Sequence, residues 1–88
     1  MFRLWAKVFK GNHLIKDTVI CNDDHDTRTH KVFGAIDRVC YEFDLGKPIW
    51  LDATVAEFKR HAKARFTQDN FIESIDFDYL EIHVIEED

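Results

Sequence analysis

The chain opens on a strict alternation. Phe2, Leu4, Ala6 and Val8 share one side, and Arg3, Trp5, Lys7 and Phe9 share the other. Period two with one apolar side predicts a strand that buries a single face. Gly11-Asn12 follows, and both residue types enter positive φ at low cost, so a hairpin turn is expected there. His13 to Cys21 is rich in β-branched residues and reads as the second strand. A two-residue turn would set Ala6 opposite Asp17 and Lys7 opposite Lys16. Like charges directly across a ladder are destabilising, so this register carries one unfavourable pair.

Beyond a polar loop, Asn22 to Asp26, the period changes. Val32, Phe33, Ile36, Val39, Cys40 and Phe43 recur at helical spacing. This predicts a helix over about Thr27 to Phe43, with Asp26 or Thr27 as N-cap and Gly46 and Pro48 as stop signals. Pro48 to Leu51 is a short apolar connection, either an edge strand or a loop pinned by Trp50. Val55, Phe58, Ala62 and Phe66 then form a narrow stripe that predicts a second helix over about Thr54 to Arg65. Thr54-Val55-Ala56-Glu57 fits a capping box, and Asp52 offers a second cap. Gln68 to Asn70 reads as a turn, and Phe71 to Ile75 fits either a helical turn or an extended lead-in. Asp76 to Ile85 alternates again, with Leu80, Ile82 and Val84 opposed to Tyr79, Glu81, His83 and Ile85.

The resulting order is ββααβ. It predicts an α+β domain of two layers, a three-stranded antiparallel sheet with two helices on one face. The last strand is expected beside the first. The chain of 88 residues is one domain, and 45% hydrophobic and 14% aromatic content excludes a disordered polymer.

Cys21 and Cys40 form no CxxC pair and cannot build a disulfide scaffold. Their apolar neighbours predict buried free thiols in a reducing compartment. No signal-like segment opens the chain, and no run approaches the roughly 18 apolar residues of a span. A cytoplasmic protein without a membrane partner is expected.

Charge is distributed unevenly. Thr67 to Asp88 holds eight acids and no Lys or Arg, and the preceding residues carry +3, for a net charge of −5. Much of this step has an internal explanation. An acidic last strand beside Arg3, Lys7 and Lys10 would complete cross-strand ion pairs. Lys59, Arg60, Lys63 and Arg65 fall at the expected end of the second helix, where cations are favoured. The same four offer an anion or nucleic-acid contact, which the acidic total opposes. The closing acids Glu86, Glu87 and Asp88 could also imitate phosphates toward a partner's nucleic-acid groove.

Asp24, His25, Asp26 and His30 have the donor types of a divalent-metal site but no recognised ligand spacing. Acidic loops before helices ordinarily serve as caps and turns. Ser74 is the sole serine and lies in no GxSxG, and Gly11, Gly34 and Gly46 are too scattered for a phosphate loop. A cysteine–histidine nucleophilic pair is weighed against burial of both thiols, and burial is the commoner fate. No catalytic machinery and no cofactor are expected.

The remaining candidate is the sheet side away from the helices. It would carry Trp5, Phe9, Tyr79, Glu81 and His83, with Leu14, Thr18 and Ile20 from the second strand. An apolar patch of this kind ordinarily marks an interface. The expectation is a non-enzymatic binding or regulatory protein that forms a homodimer or meets a protein partner there. The alternatives are nucleic-acid binding and metal binding.

The stretches Phe43-Asp44-Leu45-Gly46-Lys47-Pro48-Ile49-Trp50-Leu51 and Phe71 to Ile82 resemble segments of short bacterial proteins of the Firmicutes type, uncharacterised in function. The resemblance covers about half of the chain. It implies a bacterial cytosolic setting and no particular activity.

Overall fold

The hairpin forms at the expected turn, with Gly11 at φ 58° and Asn12 at φ 66°, both left-handed. In the computed structural model, which describes residues 1–87, it joins β1 (Phe2–Lys10) to β2 (His13–Asn22). Next to the turn, Lys10 faces His13 and Phe9 faces Leu14. The register then shifts between Val8 and Phe9, leaving Ile15 as the extra residue. Lys7 therefore faces Asp17, and Val8 faces Lys16. The bulge turns the expected Lys7–Lys16 clash into an opposite-charge pair. It also inverts the remainder of β2. Thr18 and Ile20 pair with Ala6 and Leu4 on the core side, not with the aromatics as expected. Leu14 stays on the outer side as expected, and Asp17, Val19 and Cys21 join it in place of Thr18 and Ile20.

α1 spans Arg28–Phe43. Thr27 is its N-cap, and its hydroxyl accepts the His30 N–H at 3.2 Å. Its end is set by Asp44, left-handed at φ 56°, and not by Gly46. Val32, Ala35, Ile36, Val39 and Cys40 are buried on the sheet side. They pack with Phe2, Leu4, Ala6 and Val8 in a single core.

The second helix ends earlier than its stripe predicts. α2 covers Asp52–His61, and Ala62 at φ 54° breaks it. The next four residues, Lys63–Phe66, are β3. A spacing of four residues fits a helical turn and an alternating strand equally well, so Ala62 and Phe66 satisfied both. The strand wins because Ala64 and Phe66 become fully buried while the backbone gains a ladder. The expected Thr54–Glu57 capping box does not form. Leu51 occupies the N-cap without a side-chain bond, and Glu57 accepts the Arg65 N–H at 2.9 Å.

Thr54 is buried and accepts from Asn70 Nδ2 at 3.0 Å. Asn70 closes a short 3-10 turn, Gln68–Asn70. Its Nδ2 also donates to the Ile49 carbonyl at 2.8 Å, and its Oδ1 accepts the Thr67 N–H at 3.0 Å. One buried amide thus ties the 46–51 connection to α2 and to the end of β3. Residues 71–78 form neither a helix nor a strand, and Phe71 and Phe77 from this stretch enter the core edge to face.

β4, Tyr79–Glu86, lies between β1 and β3. The sheet is four-stranded and antiparallel, in the order β2-β1-β4-β3, so the expected count of three strands is corrected by β3. The α+β class holds. The core residues of all four strands and both helices lie on one side of the sheet. The other side meets solvent. Among the described residues, no helix is long and apolar enough to cross a membrane.

Candidate interaction face

Alternation on four strands sets one side chain from each strand into rows across the open face. The central row is Asp17, Lys7, Glu81 and Arg65. Glu81 keeps only 6% of its surface exposed, although it points away from the core. Lys7 Nζ lies 3.1 Å from Glu81 Oε1, and Arg65 Nε donates to Oε2 at 3.3 Å. Burial by itself would raise the Glu81 carboxyl. The bonds from Lys7 and Arg65 outweigh it and hold the carboxyl below its ordinary value.

Each cation also lies on a ring. Lys7 Nζ sits 4.1 Å from the Trp5 ring centre, and the Arg65 guanidinium carbon 4.9 Å from that of Tyr79. Phe9 stacks on Tyr79 with centroids 5.1 Å apart. Trp5 Nε1 donates to Asp17 Oδ2 at 2.9 Å. The expected aromatics are therefore gathered, but each is tied to a charged neighbour or to another ring. Trp5, Phe9 and Tyr79 are all half-buried.

The next row joins Val19, Trp5, His83 and Lys63. Partial burial lowers the His83 basicity, and the positive charges of Lys63 and Lys7 lower it further, against the smaller opposite pull of Glu81. His83 is thus held toward its neutral form. Farther along, Arg3 pairs with Glu86 at 2.9 Å. Ile85 falls at a second register shift, between Arg3 and Leu4, and is exposed.

The four basic candidates do not share one helical face. Lys59 and Arg60 end α2, whereas Lys63 and Arg65 lie on β3 and belong to the open sheet face. The left-handed Ala62 separates the two pairs. Of the closing acids, Glu86 pairs with Arg3 and with the Met1 amino group, and Glu87 with Arg28 at 2.7 Å. Asp88 lies outside the described residues.

In the loop before α1, Asp26 and His30 come together. His30 Nδ1 lies 2.9 Å from Asp26 Oδ1, which also accepts the Thr27 N–H at 2.7 Å. The histidine and backbone bonds lower the Asp26 carboxyl. The Asp24 N–H is instead donated to Asn22 Oδ1 at 2.7 Å. Among the described residues, no three His, Cys, Asp or Glu side chains are grouped to hold a metal ion. Asp24 and His25 remain exposed beside the pair.

Both cysteines are free, but only Cys40 is buried. Burial, reinforced by the Asp37 charge, pushes its thiol up to about 11. Cys21 is exposed at the outer edge of the face, contrary to the expected burial.

Three residues of this face were not expected on it. Asp17 reaches the face only because of the Ile15 bulge, and Lys63 and Arg65 only because α2 stops at His61. The periodicity of Lys63-Ala64-Arg65-Phe66 held the second signal, masked by the longer helical stripe. The chain matches no protein-family model, no curated protein and no solved structure.

Proposed function

We propose that the chain is a small, non-enzymatic binding protein that pairs with a second copy of itself through the open sheet face. The observation that carries this reading is the state of the charges there. Glu81 and Lys7 are already largely stripped of water and matched to each other, so covering this pair with a partner removes little further hydration. Around it lie Trp5, Phe9 and Tyr79, continued on β2 by Leu14 and Val19, which are 47% and 43% exposed.

The electrostatics favour a copy of the same chain. Arg3, Lys7, Lys63 and Arg65 oppose Asp17, Glu81 and Glu86 on this face, which makes it nearly neutral on a molecule of net charge −5. Two such molecules meet with least repulsion where the charge is balanced. A two-fold contact also needs only one self-complementary patch. A cytoplasmic location fits the two free thiols.

Sedimentation velocity at micromolar concentration is the test. A dimer that dissociates on Trp5→Ala or Tyr79→Ala supports the reading, and a monomer at all concentrations removes it. The second reading, single-stranded nucleic acid on the same aromatics, is favoured by Arg65 over Tyr79 and by Lys63 opposite His83 on the same strand. Titration with an oligonucleotide at low salt separates the two.

A further inference from the structure

A concave surface lies in the helical layer. α1 and α2 meet along a groove of about 230 Å³, lined by Val32, Phe33, Trp50, Val55 and Phe58. Trp50 organises it, meeting Phe33, Phe58 and Phe66 edge to face at centroid distances of 6.0, 5.5 and 5.1 Å. The arrangement leaves Phe33 48% exposed along the groove.

Beside Thr29, the charged part of the lining is of one sign. Arg28 enters from α1 and Lys59 from α2, and no acid lines the groove. The Arg28 guanidinium carbon sits 5.1 Å from the Phe58 ring centre, at the apolar wall. Lys59 has no carboxylate partner among the described residues. Arg28 already holds one carboxylate, since Glu87 reaches its Nε at 2.7 Å. On a chain of net charge −5, an apolar slot whose charged lining residues are both cations is locally selective for an anion with an apolar body.

We propose that this groove binds a small amphipathic carboxylate. Its chain or ring lies against Trp50 and Phe58, and its carboxylate sits between Arg28 and Lys59. The volume is below the roughly 300–1,000 Å³ of ordinary ligand pockets, which limits the occupant to a short chain or a single ring. Glu87 is the internal competitor for Arg28. The groove and the open sheet face lie in different layers, so this site does not depend on self-association.

Octanoate and octanol are suitable probes, read by Trp50 fluorescence in a Trp5→Phe background that leaves one indole. Saturable binding of octanoate, at least about three-fold tighter than octanol, is expected for contact with exposed cations. Lys59→Gln should weaken octanoate by about the same factor and leave octanol unchanged, while Glu87→Gln should strengthen octanoate. Equal affinity for the two probes, an unaffected Lys59→Gln variant or the lack of a saturable signal overturns the proposal. Chemical-shift mapping of the unsubstituted chain gives a second reading. Shifts at Val32, Phe33 and Val55 support the site, and shifts confined to Leu14 and Val19 reject it.

Discussion

Lys7 and Glu81 face each other across β1 and β4, and the pair closes to 3.1 Å on a surface turned away from the core. The carboxylate is as buried as many core side chains, because Lys7, Arg65 and their rings cover it. Removing one partner strands charge with little water to receive it. Lys7→Met should destabilise by about 2 kcal/mol, less than the ~3–5 kcal/mol of a deeply buried pair, because Arg65 stays in place. Replacing both, as Lys7→Met with Glu81→Leu, should recover much of the loss. Urea titrations of the single and double variants measure the difference.

Acid acts on the same rows in two steps. His83 has a folded value below its ordinary 6.5, so the folded state resists the proton that the unfolded chain accepts. Stability should therefore start to fall as the pH drops below about 6.5. Glu81 has a folded value below its ordinary 4.5, so its contribution is complete above that value and disappears as the pH falls through the folded one. Asp26 acts in the same direction as Glu81. Thermal melts from pH 7.5 to pH 3 should show both declines, and His83→Gln should flatten the upper one only.

The two thiols should separate cleanly. Cys21 is exposed, whereas Cys40 is buried with its thiol raised to about 11. A colorimetric disulfide reagent at pH 8 should titrate one thiol per folded chain and two in denaturant. Cys21→Ser should abolish the fast phase, and Cys40→Ser should leave it unchanged.

Ala62 pays for the end of α2 with a left-handed backbone at φ 54°, a conformation that a Cβ opposes. Ala62→Gly should stabilise the fold by about 0.5–1 kcal/mol, since the strain exceeds the entropy cost of glycine in the unfolded chain. A lower denaturation midpoint in guanidinium would contradict the assignment of strain to this residue.

The legible parts of the fold were those with one dominant period. Phe2 to Phe9 and Leu80 to Val84 alternate without a competing pattern, and both are strands. The stripe from Val32 to Cys40 is helical and is found so. What escaped depended on partners distant in sequence. Nothing near Ile15 marks a bulge. The gain comes from Lys7 meeting Asp17, which appears only once two strands are aligned. Likewise, Lys63 to Phe66 becomes a strand because β4 offers an edge, and Asn70 becomes a hub because Ile49 and Thr54 lie beside it. The candidate face shows the same division. Its β1 and β4 members were readable from alternation, while its β2 and β3 members required the register.

The strand order has a kinetic consequence. β1 and β4, the first and last strands, are neighbours in the middle of the sheet. During synthesis, the β1–β2 hairpin precedes β4 by both helices and β3, and waits with one edge open until β4 follows. Loop-closure entropy must be met before this long-range seam can form, so folding should be slow for a protein of this size. The vulnerable species is then the nascent chain, in which the backbone edge of β1 away from β2 stays unpaired until β4 arrives.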